Sequence, residues 1–280
     1  MHPIIENTKK LAESFGIKHE IIDINFYEDD EFIKNDEKRC YACRSLMYSE
    51  IEKAAEKNGF DFICDGNNIS DLVVDRPGIL VTYEKDFKTP FIEAKLDSKE
   101  IHKYLNSKDI PYSRSTTCIA TRIKTNTEIT KERIDRICDC EDYIYKNTNC
   151  KTVKVRDHGE VCIVEVDNTN EIMKNTFDIS RRLKQNGFKK VALNLSQLRD
   201  DEFIVIEYGN GSFSYNLPFS INIEDTMAKL DNVASYSKDR IDMDNFSIFE
   251  DGLIVGRKFD SYRDALYAFM DILPKIRRNI

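Results

Sequence analysis

An α/β fold followed by a smaller α+β part is what this sequence predicts, and three observations carry the prediction. Amphipathic helical stretches alternate with short apolar stretches through residues 3–105, the pattern of a parallel sheet covered by helices. One apolar stretch (Phe60, Phe62, Ile63) runs into the polar loop Asp65-Gly66-Asn67-Asn68-Ile69-Ser70-Asp71-Leu72-Val73-Val74-Asp75-Arg76-Pro77-Gly78. Ligands of open α/β sheets sit at the carboxyl ends of strands, so this loop reads either as the floor of a site or as a charged surface loop. From residue 151 the pattern changes to alternation across a turn, the sign of a hairpin.

The elements follow in order. Ile4, Ile5, Leu11, Ala12 and Phe15 recur at helical spacing over 3–16, and Gly16 ends the helix. His19–Ile24 alternates as a short strand. Residues 44–58 form a second helix, with Leu46, Met47, Ile51, Ala54 and Ala55 on one side. The strand at 60–65 follows. Ile79–Tyr83 and Thr89–Ala94 read as strand or loop, and Ser98–Leu105 as a capped helix. The helix at 130–146 has an apolar stripe of Ile134, Ile137, Cys138, Ile144 and Tyr145, on which Glu141 also falls. A carboxylate on a buried face is costly unless partnered, so Glu141 is either paired structurally or part of a site.

Thr152–Arg156 and Val161–Val166 flank Asp157-His158-Gly159 as a β-hairpin. Lys154 and Arg156, two apart, share one strand face, where they hold a phosphate or simply face water. A helix at 170–186 and a strand at 189–195 complete this part. Beyond residue 200, hairpins around Gly209-Asn210-Gly211 and Glu250-Asp251-Gly252 and a closing helix (Tyr262, Ala265, Leu266, Phe269, Leu273) form an extra β+α piece with no visible chemistry.

The chain of 280 residues has room for one large domain or two ordinary ones. Its net charge of -8 argues against nucleic acid as a partner. No apolar run approaches membrane-spanning length and the N-terminus does not read as a signal peptide, so a cytoplasmic location is expected. The eight cysteines are then not a disulfide framework. Cys40-Tyr41-Ala42-Cys43 stands at a helix entrance, a spacing that suits a zinc knuckle, an iron–sulfur cluster or a redox pair. No second Cys-x-x-Cys exists for structural zinc, and nothing supports a thioredoxin-like unit. Cys118 is the natural third partner, since three thiolates leave one iron of a cubane open to a small ligand such as hydrosulfide. Cys138 and Cys140 point to different sides of their helix, and Cys64 and Cys162 read as core.

Several motifs together carry a resemblance. They are Arg39-Cys40-Tyr41-x-Cys43, then Asp65-Gly66-x-Asn68-x-x-Asp71-Leu72-x-x-Asp75-Arg76-Pro77-Gly78, then Thr89-Pro90-Phe91-Ile92-Glu93-Ala94, then Cys118-Ile119-Ala120-Thr121-Arg122. In this order they resemble the LarE-type ATP-dependent sulfur transferases of the PP-loop ATP pyrophosphatase superfamily, over roughly residues 3–200. The resemblance implies a Rossmann-like pyrophosphatase domain and a smaller α+β domain. It implies adenylation of a carboxylate on a pyridinium dicarboxylate mononucleotide and its conversion to a thiocarboxylate, which feeds a nickel-pincer cofactor. It also implies Cys118 as the sulfur-handling residue, with Glu93, Glu141 and Arg122 near the reacting groups and Lys154 and Arg156 on the substrate phosphate. Asp65, Gly66, Asn68, Asp71, Asp75 and Arg76 match the loop on the nucleotide side. With Cys40, Cys43 and Cys118 all present, the implied cofactor is a four-iron, four-sulfur cluster on these three thiolates. ATP with magnesium belongs to the family's site.

Departures accompany the resemblance. The family's Ser-Gly-Gly-x-Asp-Ser phosphate loop is absent, and the match begins at the helix after the family's second strand. Lys124-Thr125-Asn126 replaces a common Pro-Tyr-Gly, and Asn194 stands where a carboxylate is usual. The expected organisation is an incomplete pyrophosphatase-like domain at 1–148, the family's α+β domain at 149–200 and an appended piece at 201–280. The expected activity is sulfur transfer to a small nucleotide-like substrate. The alternatives are a partner-dependent iron–sulfur or substrate-binding subunit, with a separate chain supplying the phosphate-loop half, and a tRNA-thiolating enzyme. A homo-oligomer is expected from the family.

Overall fold

A computed structural model describes residues 3–112, 117–198 and 204–280. The chain opens with α1 (Pro3–Ser14). The next helix, α2 (Asp30–Lys34), is capped by Asp29, whose carboxylate accepts from Phe32 N at 2.7 Å. α3 (Arg39–Asn58) carries the Cys-x-x-Cys in its first turns. α4 (Ile79–Glu84), α5 (Pro90–Glu93) and α6 (Ser98–Ser107) follow, the last capped by Asp97 through Glu100 N at 2.8 Å. α7 (Lys131–Asn147) leads into β1 (Val153–His158) and β2 (Val161–Val166), then α8 (Thr169–Lys174), α9 (Thr176–Gln185) and β3 (Lys190–Leu193). The last part holds β4 (Glu207–Gly209), β5 (Ser212–Asn216), α10 (Ile223–Met227), β6 (Val233–Tyr236), β7 (Arg240–Met243), β8 (Phe246–Phe249), β9 (Leu253–Gly256) and α11 (Tyr262–Ile272).

The protein is therefore mixed α/β, with two sheets among the described residues. Among the described residues no strand forms before Val153. The strand expected at 60–65 is reduced to one parallel bridge between Cys64 and Lys88, and Phe60 and Phe62 stay 68% and 70% exposed. His19–Ile24 is likewise no strand. Both stretches have the alternation but lack the neighbours that satisfy a strand's backbone. Ile79–Tyr83 and residues 90–93 are helical, because Gly78 and Pro90 start helices there rather than interrupting strands. The hairpin turn falls on Gly159 and Glu160, and the expected helix at 170–186 is divided at Asn175.

By contact the chain groups into two compact units, each built from separate stretches, Met1–Arg39 with Tyr112–Asp200 and Cys40–Pro111 with Asp201–Ile280. This grouping differs from the three consecutive segments expected above. In the first unit, β1 pairs antiparallel with β2, and β2 pairs parallel with β3 across α8 and α9. Val153, Val155, Cys162, Val164 and Val166 are buried, as are Ile137 and Ile144 of α7, which packs on β1. Asp157 is wholly buried on the same strand face and is held by Arg136 Nε at 3.1 Å and Arg133 Nη1 at 3.2 Å. In the second unit the strand order is β4-β5-β9-β8-β7-β6, antiparallel throughout. Its core joins Ile248, Ile254, Phe213 and Phe269 to Ile69, Leu72, Ile79 and Ile92. The polar loop at 65–78 and the helices after it thus bury apolar side chains among those of residues 204–280.

Candidate functional site

The expected residues gather in two groups, one per unit. In the first unit β1 is an edge strand, and its outward N–H groups need acceptors. Helix α7 supplies them. The Tyr145 hydroxyl accepts from Val153 N at 3.0 Å, and Glu141 Oε1 accepts from Val155 N at 2.8 Å. This second bond explains a carboxylate on an apolar stripe. The same oxygen accepts from Arg122 Nε at 2.9 Å, with Arg122 4% and Glu141 8% exposed. The buried carboxylate is structurally paired, and its partner leads to the candidate nucleophile.

Arg122 ends the short turn Ile119–Arg122, with Cys118 as its N-terminal cap. Its Nη1 donates to the carbonyls of Thr117 at 3.0 Å and Cys118 at 3.3 Å, and to Thr117 Oγ1 at 2.5 Å. Thr121 adds its own N–H and hydroxyl to the Cys118 carbonyl, at 2.9 and 2.6 Å. The backbone of Cys118 is held from three directions while the side chain is exposed. Arg122, expected beside the reacting groups, is a buried organiser of this turn.

Lys154 and Arg156 share the half-buried face of β1, as their spacing predicts. Glu165 of β2 lies directly across from Lys154, and Arg156 Nε donates to Glu165 Oε2 at 2.9 Å. Arg156 Nη1 donates to the Thr121 carbonyl at 2.9 Å, which ties the basic pair to the Cys118 turn. The Lys154 ammonium is pushed below its ordinary value, first by burial and then by the charges of Arg122 and Arg156, with Glu165 and Glu141 opposing. Two arginines close enough to Lys154 to weaken its hold on its proton make, with it, a cationic group that favours a bound anion.

In the second unit the polar loop closes against α3. Asp65 Oδ2 accepts from Tyr48 Oη at 2.6 Å and from Thr82 Oγ1 at 3.1 Å, and Asp65 Oδ1 accepts from Asn67 N at 3.0 Å. Arg44 lies 3.5 Å from the same carboxylate. Asn68 caps a short turn, accepting from Ser70 N at 2.8 Å, while Asp71 accepts from Asn68 N at 2.9 Å. Asp71 is ion-paired with Arg76, and Asp75 with Arg278 at 2.7 Å. A Cβ on Gly78 would stand 2.9 Å from the Cys40 carbonyl and 3.1 Å from Arg44 Cδ, so only glycine lets the loop end lie on the first turn of α3. Gly66 and Glu93 are exposed. These carboxylates serve the loop's own folding, a role the motif alone did not reveal.

Cys40 and Cys43, one helical turn apart and half-buried, supply two thiols from one unit. A cubane with one open iron takes three, and the third candidate, Cys118, belongs to the other unit. Among the described residues no group of three or more His, Cys, Asp or Glu side chains is placed to hold a metal ion. Cys64 is exposed rather than core, whereas Cys162 is buried as expected. Sequence reasoning missed Glu165, Thr121 and Asp157. The first was discoverable by pairing the two hairpin strands, which sets Glu165 against Lys154.

No family model matches the chain. Three curated proteins are similar to it. An uncharacterized protein of Methanocaldococcus jannaschii, MJ0830, is 31% identical over 189 residues, covering 67% of this chain and 73% of that protein. An uncharacterized protein of Synechocystis, slr1717, is 26% identical over 198 residues, 68% of this chain and 73% of its own length. The pyridinium-3,5-bisthiocarboxylic acid mononucleotide synthase of Lactiplantibacillus plantarum, which is LarE, is 23% identical over 200 residues, 69% of this chain and 71% of the synthase. The chain belongs to one family with MJ0830, and its more distant similarity to LarE supports a LarE-like assignment.

Proposed function

We propose that this protein is a sulfurtransferase that places sulfur on a small nucleotide-like substrate, with Cys118 handling the sulfur and Lys154 and Arg156 holding a phosphate. The observation that supports this reading most is the tie between the two functions. An exposed thiol sits on a turn whose carbonyls are gripped by Arg122 and Arg156, and the same arginines bracket the depressed lysine. Oxyanion binding at Lys154 would bring a substrate to the turn that presents the thiol. A thiolate near cationic side chains is the form that attacks an activated carbonyl carbon.

Activation of the carboxylate by ATP is assigned to no residue of this chain. Asp65, Asp71 and Asp75 are engaged with protein partners, and a Ser-Gly-Gly-x-Asp-Ser loop is not in the sequence. The engagement of these aspartates favours a second reading, in which activation comes from a separate polypeptide and this chain binds substrate and delivers sulfur. A cluster on Cys40, Cys43 and Cys118 is proposed separately, and no step of the sulfur transfer is routed through it.

The test has two arms. A preactivated acyl adenylate of a pyridinium carboxylate mononucleotide, given to the wild type with a sulfide source, yields thiocarboxylate, and Cys118→Ser yields none. Equal product from both proteins would sink the role of Cys118. Anaerobic purification with iron and sulfide analysis addresses the cluster. Roughly four irons and four sulfides per chain, lost in Cys40→Ala, Cys43→Ala and Cys118→Ala, is the expected result. Zinc, or no metal in a folded protein, overturns the cluster.

A further inference from the structure

We propose that Glu165 is a positioning residue that, with the Thr121 carbonyl, fixes the guanidinium of Arg156 for oxyanion binding. The inference rests on the reading of Lys154 and Arg156 as a phosphate site and extends it to a residue on the neighbouring strand. Arg156 has five N–H donors in one plane. Its Nε is taken by Glu165 Oε2 at 2.9 Å and one Nη1 donor by the Thr121 carbonyl at 2.9 Å. Two anchors on different nitrogens of the plane stop it from rotating. Among the described residues nothing engages the Nη2 edge, which is the edge left for a ligand.

The hairpin register makes this arrangement possible. Glu165 is opposite Lys154 and diagonal to Arg156, on the half-buried face, with Val164 and Val166 buried on the other. A carboxylate in a cationic pocket has two conceivable effects, and they differ in sign. As a mere counter-charge it competes with an incoming anion, and its removal tightens binding. As an orienter it spares the arginine the entropy of being ordered by the ligand, and its removal weakens binding. The paired bonds to Arg156, with the Nη2 edge left open, favour the second.

The deciding experiment is calorimetric titration of the full chain with inorganic phosphate at fixed ionic strength. Glu165→Ala is expected to weaken phosphate about ten-fold, the size of one charge-assisted hydrogen bond. Glu165→Gln, whose amide oxygen still accepts from Nε, stays within about three-fold of wild type. In an Arg156→Gln background Glu165→Ala adds no further loss, an outcome that a general structural defect would not give. Should Glu165→Ala fail to fold, Glu165→Asp, which keeps the charge but falls short of Nε, carries the same expectation. Unchanged or tighter binding by the shortened variants overturns the proposal. Lys154→Gln separates the two readings. If it weakens phosphate while the Glu165 variants do not, only the positioning role falls, and if the wild type binds no phosphate, both fall.

Discussion

At the scale of single residues, the thiols are sorted by their surroundings. Cys118 is exposed on a pinned turn. Cys138 is also exposed, but partial burial and then Glu141, Asp142 and Asp135 push its pKa up. Cys162 is pushed up to about 12 by burial and by its neighbour Cys140, and Cys140 is itself raised by burial against a hydrogen bond from Asn186. Iodoacetamide at mildly alkaline pH should therefore modify Cys118 ahead of Cys138, and leave Cys140 and Cys162 for last. Peptide mass spectrometry over time reads the order, and modification of Cys138 before Cys118 contradicts it. Lys154 gives a second expectation. Its folded pKa is depressed, so between that value and the ordinary lysine value the unfolded chain binds more protons, and stability rises with pH there. Below that window the charge carries its full cost. Lys154→Met should raise the melting temperature at neutral pH, read by differential scanning calorimetry. The gain should shrink as the pH climbs through the window, and an equal gain at every pH would refute the assignment.

At the scale of elements, the sequence told helices from hairpins well and told strands from orphans poorly. The period of Ile137 and Ile144 and the alternation of Val153, Val155, Val164 and Val166 were legible because each stretch meets the partner its pattern asks for. Phe60 and Phe62 had the same alternation, yet pattern says nothing about whether a neighbour exists to complete a ladder. Lys154 and Arg156 were legible as a pair from their spacing. Glu141 was legible as an anomaly, and only the outward N–H of Val155 explains it. The loop from Asp65 to Gly78 was legible as special, but its aspartates are partners of Tyr48, Thr82 and Arg278 outside it and of Arg76 within it, which the motif does not reveal. Gly78 makes the element-scale prediction. Gly78→Ala drives a methyl into the Cys40 carbonyl and the Arg44 side chain, and should cost about 1–3 kcal/mol in urea unfolding. An unaltered midpoint would show that the loop does not lie on the first turn of α3.

At the scale of the whole molecule, residues 201–280 change the meaning of the segment before them. Ile69, Leu72, Ile79 and Ile92 lose their surroundings if that stretch is removed. A chain cut after residue 198 is expected to be aggregation-prone, with fast hydrogen exchange at residues 69–93. A soluble fragment with those amides still protected would contradict the shared core. Among the described residues no helix is long and apolar enough to cross a membrane.

The discontinuous core also has a consequence for synthesis. Ile69 and Ile92 leave the ribosome long before Ile248, Ile254 and Phe269, the side chains that will cover them. At about 5–20 residues per second, the earlier half of that core waits on the order of ten to forty seconds with its apolar groups in water. The newborn chain is then most exposed to chaperones and proteases between those two moments. Slow codons placed after residue 100 would lengthen the interval, and lower yield at raised growth temperature is where that delay would be felt.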